Sequence, residues 1–277
     1  MKSLTKRLLA VLFAILTLLT AVCVTACSPY SGRYQEVSAD ELDNKTEQLQ
    51  TRINQAVNSM LWHDMMPNYK TVYTLSEKTN YINDNFSTET KVKVTQYGYE
   101  GLKQTKVEYH SVQLINDTDF MLLGAKPILE ETNCTVTFWY GDELENIYYE
   151  LVMDGKKEQD ILPYDYGKEE LKKASNYDVL YQRYIKYDID TAFTFDYKLF
   201  LDGENKVKID SKADDGMEKW TILAYLIFDE YDTVYFKEEQ EHNQTIRGNI
   251  NRDYFSKSKL EITPSNKKIS LPKFAKL

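Results

Sequence analysis

The sequence predicts an α+β fold: a twisted antiparallel sheet with an N-terminal amphipathic helix and a buried helix in the C-terminal half packed on it. Three observations carry this expectation. From Tyr69 to Met153 the chain alternates polar and apolar residues and is rich in β-branched and aromatic types, the pattern of strands with one buried and one wet face. Residues 38–66 instead repeat apolar residues at helical spacing, and Met217–Tyr231 is apolar nearly all round, as a buried helix would be. The 277 residues are 42% hydrophobic and 13% aromatic, with only 10 Gly and 6 Pro, which excludes disorder throughout and low-complexity architectures.

Residues 1–26 stand apart. Their charge is one-signed (Lys2, Lys6 and Arg7), and nothing from Leu8 to Val24 is charged. A basic start, an apolar run and small residues before a break form a secretory signal. At the break, Val24-Thr25-Ala26-Cys27 resembles the lipobox of bacterial lipoproteins, an aliphatic residue, a small polar one and Ala or Gly before the cysteine. The resemblance implies that a diacylglyceryl thioether forms on the Cys27 sulfur and that signal peptidase II cuts between Ala26 and Cys27. Cys23 does not compete, because Val22 is too bulky for the residue before the cut. Two or three acyl chains anchor durably where one does not, so the chain is expected at the cell membrane, lipid-anchored on its extracytoplasmic face. An uncleaved spanning helix is disfavoured, since it needs about 20 apolar residues and this run is shorter. With Cys23 discarded and Cys27 lipidated, Cys134 is left alone, and no internal disulfide is possible.

Residues 27–37 then read as a tether. Ser38 and Glu41 form an S-x-x-E capping box, flanked by a Val37/Leu42 staple. Leu42, Leu49, Ile53, Ala56, Val57, Met60 and Leu61 continue as one helical stripe that Pro67 closes. Strands follow at 70–75, 91–97, 106–115, 134–140 and 146–153, separated by turn clusters such as Gly98-Tyr99-Glu100-Gly101. The charged stretch Asp154–Asp160 is the boundary expected between an N-terminal helix-plus-sheet unit (38–160) and a second α+β subdomain (161–255). In that second unit a helix is expected over 168–187, strands over 191–201 and 206–210, the buried helix after Asp214-Asp215-Gly216, and a strand over 233–237. From Ser256 the composition turns basic, six lysines against Glu261, so residues 256–277 read as a basic tail. The formal charge of −9 thus contains a +3 signal and a +5 tail around a strongly acidic body.

Enzyme signatures are missing. His63, His110 and His242 have unrelated spacings, and no Cys pair could join one in a zinc site. No G-x-S-x-G elbow or phosphate-binding glycine loop occurs. Ser256–Lys259 and Ser265–Lys268 match S-x-x-K but lack the K-T-G and S-D-N companions of cell-wall acyltransferases. Cys134 reads as a buried small hydrophobe, with no helix N-terminus or basic neighbour to activate it. The acids at 188–190 and 210–215 do not follow the calcium-loop register.

Tyrosine is the unusually frequent residue, 22 in all. It suits strands, and it also makes contact surfaces of large area and low entropy cost. Trp139, Tyr140, Tyr148 and Tyr149 are the candidate binding surface. The expected function is a non-enzymatic, membrane-anchored module of the cell envelope that binds a ligand or partner protein, without cofactor or metal. The alternatives are a carrier of a lipid or other apolar ligand in a curved sheet, and an envelope hydrolase. Nucleic acid is excluded by the acidic balance, and the basic tail offers contact to anionic lipid or wall polymer.

Overall fold

The computed structural model describes residues 29–58, 68–82, 86–115, 128–141, 143–175, 190–228, 234–248 and 251–276. The Val24-Thr25-Ala26-Cys27 motif lies outside them. A short β1 (Gln35–Glu36) and helix α1 (Leu42–Asn58) precede a meander of β2 (Asn68–Tyr81), β3 (Phe86–Tyr99), β4 (Leu102–Ile115), β5 (Ile128–Gly141), β6 (Asn146–Met153) and β7 (Lys156–Pro163). Helix α2 (Tyr164–Ser175) is followed by β8 (Asp196–Asp202), β9 (Lys206–Asp214), β10 (Glu218–Phe228), β11 (Val234–Ile246) and β12 (Arg252–Pro264). All twelve strands form one antiparallel sheet, ordered β1-β8-β9-β10-β11-β12-β2-β3-β4-β5-β6-β7. The two meanders meet where β12 lies beside β2, from Arg252 opposite Tyr81 to Pro264 opposite Tyr69.

This corrects the expected fold class: the chain is mostly β, not α+β with a buried helix. The helix expected in the C-terminal half is strand β10. Ile222, Ala224, Leu226 and Phe228 point to one face and are at most 2% exposed, while their odd-numbered neighbours are half-buried. A continuous apolar run fits a helix and a doubly packed strand equally well, and pairing along its length with β9 and β11 decides for the strand. The acids before it do not face a helix dipole. Asp215 Oδ1 accepts the Met217 and Glu218 amides at 2.9 and 2.7 Å, Asp214 Oδ1 accepts that of Gly216 at 3.0 Å, and Gly216 sits at φ 86°, which closes a hairpin.

Other segments shift as well. The stretch read as a boundary is a hairpin: Asp154 and Gly155 take φ 51° and 76°, the left-handed pair a two-residue turn requires, and Lys156–Pro163 is strand β7 on β6. Glu100 and Gly101 turn β3 into β4 the same way. Residues 191–194 are helical, so β8 begins at Asp196. Residues 176–187 of the second expected helix lie outside the described residues.

The pleat sends alternate side chains to opposite faces. One face carries the core, in which Leu199, Ile209, Ile222, Leu226, Phe236 and Ile262 are fully buried beneath Leu49 and Ile53 of α1. Arg52 pins that helix, lying 4.0 Å over the Phe228 ring and donating to Glu204 O at 2.8 Å. Val136, Phe138, Tyr140 and Ile147 form a second cluster toward β6, against Tyr164 at the start of α2.

The opposite, outer face is a lattice of lysines and carboxylates, such as Lys106–Glu108 at 2.6 Å and Lys259–Glu239 at 3.1 Å. Both chain ends cross it. The Tyr30 hydroxyl donates between the carbonyls of Phe236 (2.8 Å) and Ile262, and Lys206 Nζ donates to Ser31 O at 2.7 Å. Residues read as a free tether are therefore docked from Tyr30 onward. The basic tail is docked too. Residues 256–264 belong to β12, Ser265 N donates to Asn68 O at 3.2 Å, and the Lys267 ammonium lies 3.6 Å over the Tyr97 ring.

Candidate functional site

The four aromatics proposed as one binding surface are divided by the pleat. Tyr140 and Tyr149 point into the core. The Tyr140 hydroxyl accepts from Gln96 Nε2 at 2.6 Å and lies 3.2 Å from Thr105 Oγ1, and Tyr149 packs on Phe138 at 5.4 Å. Burial first, then the nearby carboxylates, push the Tyr149 hydroxyl's pKa up. Trp139 and Tyr148 are cross-strand partners on the outer face, where pleat and register do bring them together. That surface is occupied by the chain itself. Phe274, in the 3-10 turn Lys273–Lys276, stands edge-on to both rings with centroids 6.3 Å away, leaving Trp139 8% exposed.

The open surface lies elsewhere. Across β12, β2, β3, β4 and β5 the core face has the row Leu260, Tyr73, Val94, Val107 and Val136, of which all but the half-buried Tyr73 are at most 8% exposed. Two residues further along each strand comes the row Ser258, Leu75, Val92, Tyr109 and Cys134, each opposite the next. These are only half-buried. Met153 continues the row on β6 and is 46% exposed. A groove of about 790 Å³ crosses the five strands here, lined by this row and its chain neighbours, among them Thr74, Ser76, Lys93 and Thr135. That volume falls within the range of small-molecule sites.

The row's chemistry is apolar, with one serine, one tyrosine and one thiol. Burial raises the Cys134 pKa, which keeps it a thiol. His110 is on the other face: it lies opposite Asn133, not Cys134, and pairs with Glu131 at 3.0 Å. Strand alternation likewise parts Ser256 from Lys259, whose ammonium pairs with Glu239. Asp210 and Asp214 face Lys212 and Lys219 at 3.7 and 3.8 Å, and Asp215 accepts the Met217 and Glu218 amides, so these acids are engaged by their neighbours. Among the described residues no group of three His, Cys, Asp or Glu side chains is placed to hold a metal.

The sequence reads Leu75 and Val92 as ordinary strand residues, Tyr109 as one of many tyrosines that suit either a strand or a contact surface, and Cys134 as a buried small hydrophobe. Each lies in a segment read as β, but the row exists only through register between strands up to 183 residues apart. No known protein family matches the chain, and no characterised protein matches it in sequence.

Proposed function

We propose that the chain is a membrane-anchored extracytoplasmic lipoprotein that binds an apolar ligand, such as an acyl chain, in the groove across β12 to β5. The observation that carries this reading is the half-buried row Ser258–Leu75–Val92–Tyr109–Cys134 beside a more deeply buried one. Apolar area left open costs about 25 cal/mol per Å² against burial, and a ligand with an apolar body recovers it. The row holds no activated nucleophile, and its thiol is kept protonated by burial, which supports binding rather than turnover. The lipobox resemblance supplies the location.

The test uses the lipidated chain in phosphatidylcholine vesicles, titrated with a dansyl-labelled fatty acid. Saturable fluorescence enhancement, weakened at least tenfold by Val92→Asp and Leu75→Glu in folded protein, is expected. Enhancement that neither variant changes sinks the assignment to this groove.

A further inference from the structure

The docking of Tyr30 has a geometric consequence for a chain anchored at Cys27, and the inference rests on the lipoprotein reading above. Tyr30 is 5% exposed, and its hydroxyl is held by the carbonyls of Phe236 and Ile262 on adjacent strands. Around it the segment is fixed at several further points. Tyr34 donates to Tyr30 O at 3.2 Å, the Tyr30 and Tyr34 rings both stand edge-on to Tyr225, at 6.3 and 5.7 Å, and Gln35–Glu36 pairs with β8. Only Ser28 and Pro29 separate Tyr30 from Cys27, a path of three residue steps. At ~3.3–3.6 Å per residue that chain spans at most about 11 Å, where a free tether to residue 37 would reach about three times as far.

Strands lie ~4.8 Å apart, so β7, seven places from β11 in the sheet order, sits about 34 Å away along the sheet. An 11 Å leash keeps the outer face around Tyr30 within reach of a bilayer and sets no such bound on β7. We infer that the lipid anchor holds the outer face of β10 to β12, around Tyr30 and Tyr225, against the membrane surface. The partner is the bilayer itself, through its headgroup layer. Charge does not select it: on this patch Lys237 and Lys259 both pair with Glu239, at 3.4 and 3.1 Å. The apposition is set by the leash and therefore persists in neutral lipid and at high salt.

The experiment uses the full lipidated chain carrying Cys134→Ser, labelled with bimane at Lys237→Cys or, as the same-face control, at Gln159→Cys on β7. The vesicles are phosphatidylcholine with a headgroup nitroxide lipid. Quenching at residue 237 at least twofold greater than at 159, unchanged in 0.5 M salt, is expected. Inserting twelve Gly/Ser residues between Ser28 and Pro29 leaves Tyr30 docked and should erase the difference. Equal quenching at both sites in protein whose N-terminal peptide has the mass of a diacylglyceryl cysteine overturns the apposition alone. A difference that survives the insertion overturns the leash as its cause. An N-terminal peptide without the lipid overturns the lipoprotein reading and the inference with it.

Discussion

Phe274 stands edge-on to Trp139 at 6.3 Å and 85°, so the chain's own C-terminal segment covers the aromatic pair that sequence singles out for a partner. Phe274→Ala is expected to cost about 1–3 kcal/mol, from lost apolar burial and the lost aromatic pairs. It should also expose Trp139 to acrylamide quenching. Urea unfolding and quenching measured together check this, and an unchanged Trp139 would mean the segment is not docked in solution.

Strand β10 makes a prediction that a helix does not share. Leu226 is fully buried on the core face while Leu223, on the other face, is half-buried. Leu226→Ala should destabilise by about 2–5 kcal/mol, and Leu223→Ala by clearly less. Equal losses in urea midpoints would contradict the register.

Acid should loosen the outer-face lattice. The Lys259 ammonium bonded to Glu239, and the Lys106 ammonium bonded to Glu108, hold both carboxyls below the usual glutamate value of 4.5. A depressed carboxyl stabilises the fold above its unfolded pKa and loses that contribution as pH falls through the folded one. Stability should therefore decline below pH 4.5, with each exposed pair contributing about 0–1 kcal/mol. Glu239→Gln should flatten the slope in that window. At the alkaline end, burial, then Tyr225 and Asp202, push Tyr34 up to about 12. Its protonated form belongs to the fold, so the contribution is complete below pH 10 and lost as pH rises toward 12. Tyr34→Phe should remove that part of the alkaline decline in thermal melts.

Cys134 should alkylate slowly. With its pKa raised by burial, less thiolate is present at neutral pH than for a free cysteine. Iodoacetamide labelling at pH 8 is expected to accelerate at least tenfold in 6 M urea. Labelling as fast in the native state as in urea would show an open, activated thiol instead.

Much of the sheet is legible in the sequence. The alternation in 70–75, 91–97, 106–115, 134–140 and 146–153 places those segments in β2 to β6, because a half-wet strand writes its two faces into the chain. Strand β10 is not legible, since Trp220 to Phe228 is apolar on both faces and carries no period of 2. Strand β12 is masked by its lysines: Lys257 and Lys259 advertise a solvated tail, while Leu260 and Ile262 beside them enter the core. The groove is harder still. Leu75, Val92, Tyr109 and Cys134 share a row only through strand register, and nothing local to any of them states its partner.

The most direct test of apolar ligand binding is a map of the contact. The lipidated chain in vesicles would be irradiated with a diazirine fatty acid, and the adducts located by peptide mass spectrometry. The account predicts adducts clustered on the peptides carrying Leu75, Val92, Tyr109 and Cys134, suppressed by excess unlabelled fatty acid. Adducts confined to other peptides, or unaffected by that competitor, would contradict it.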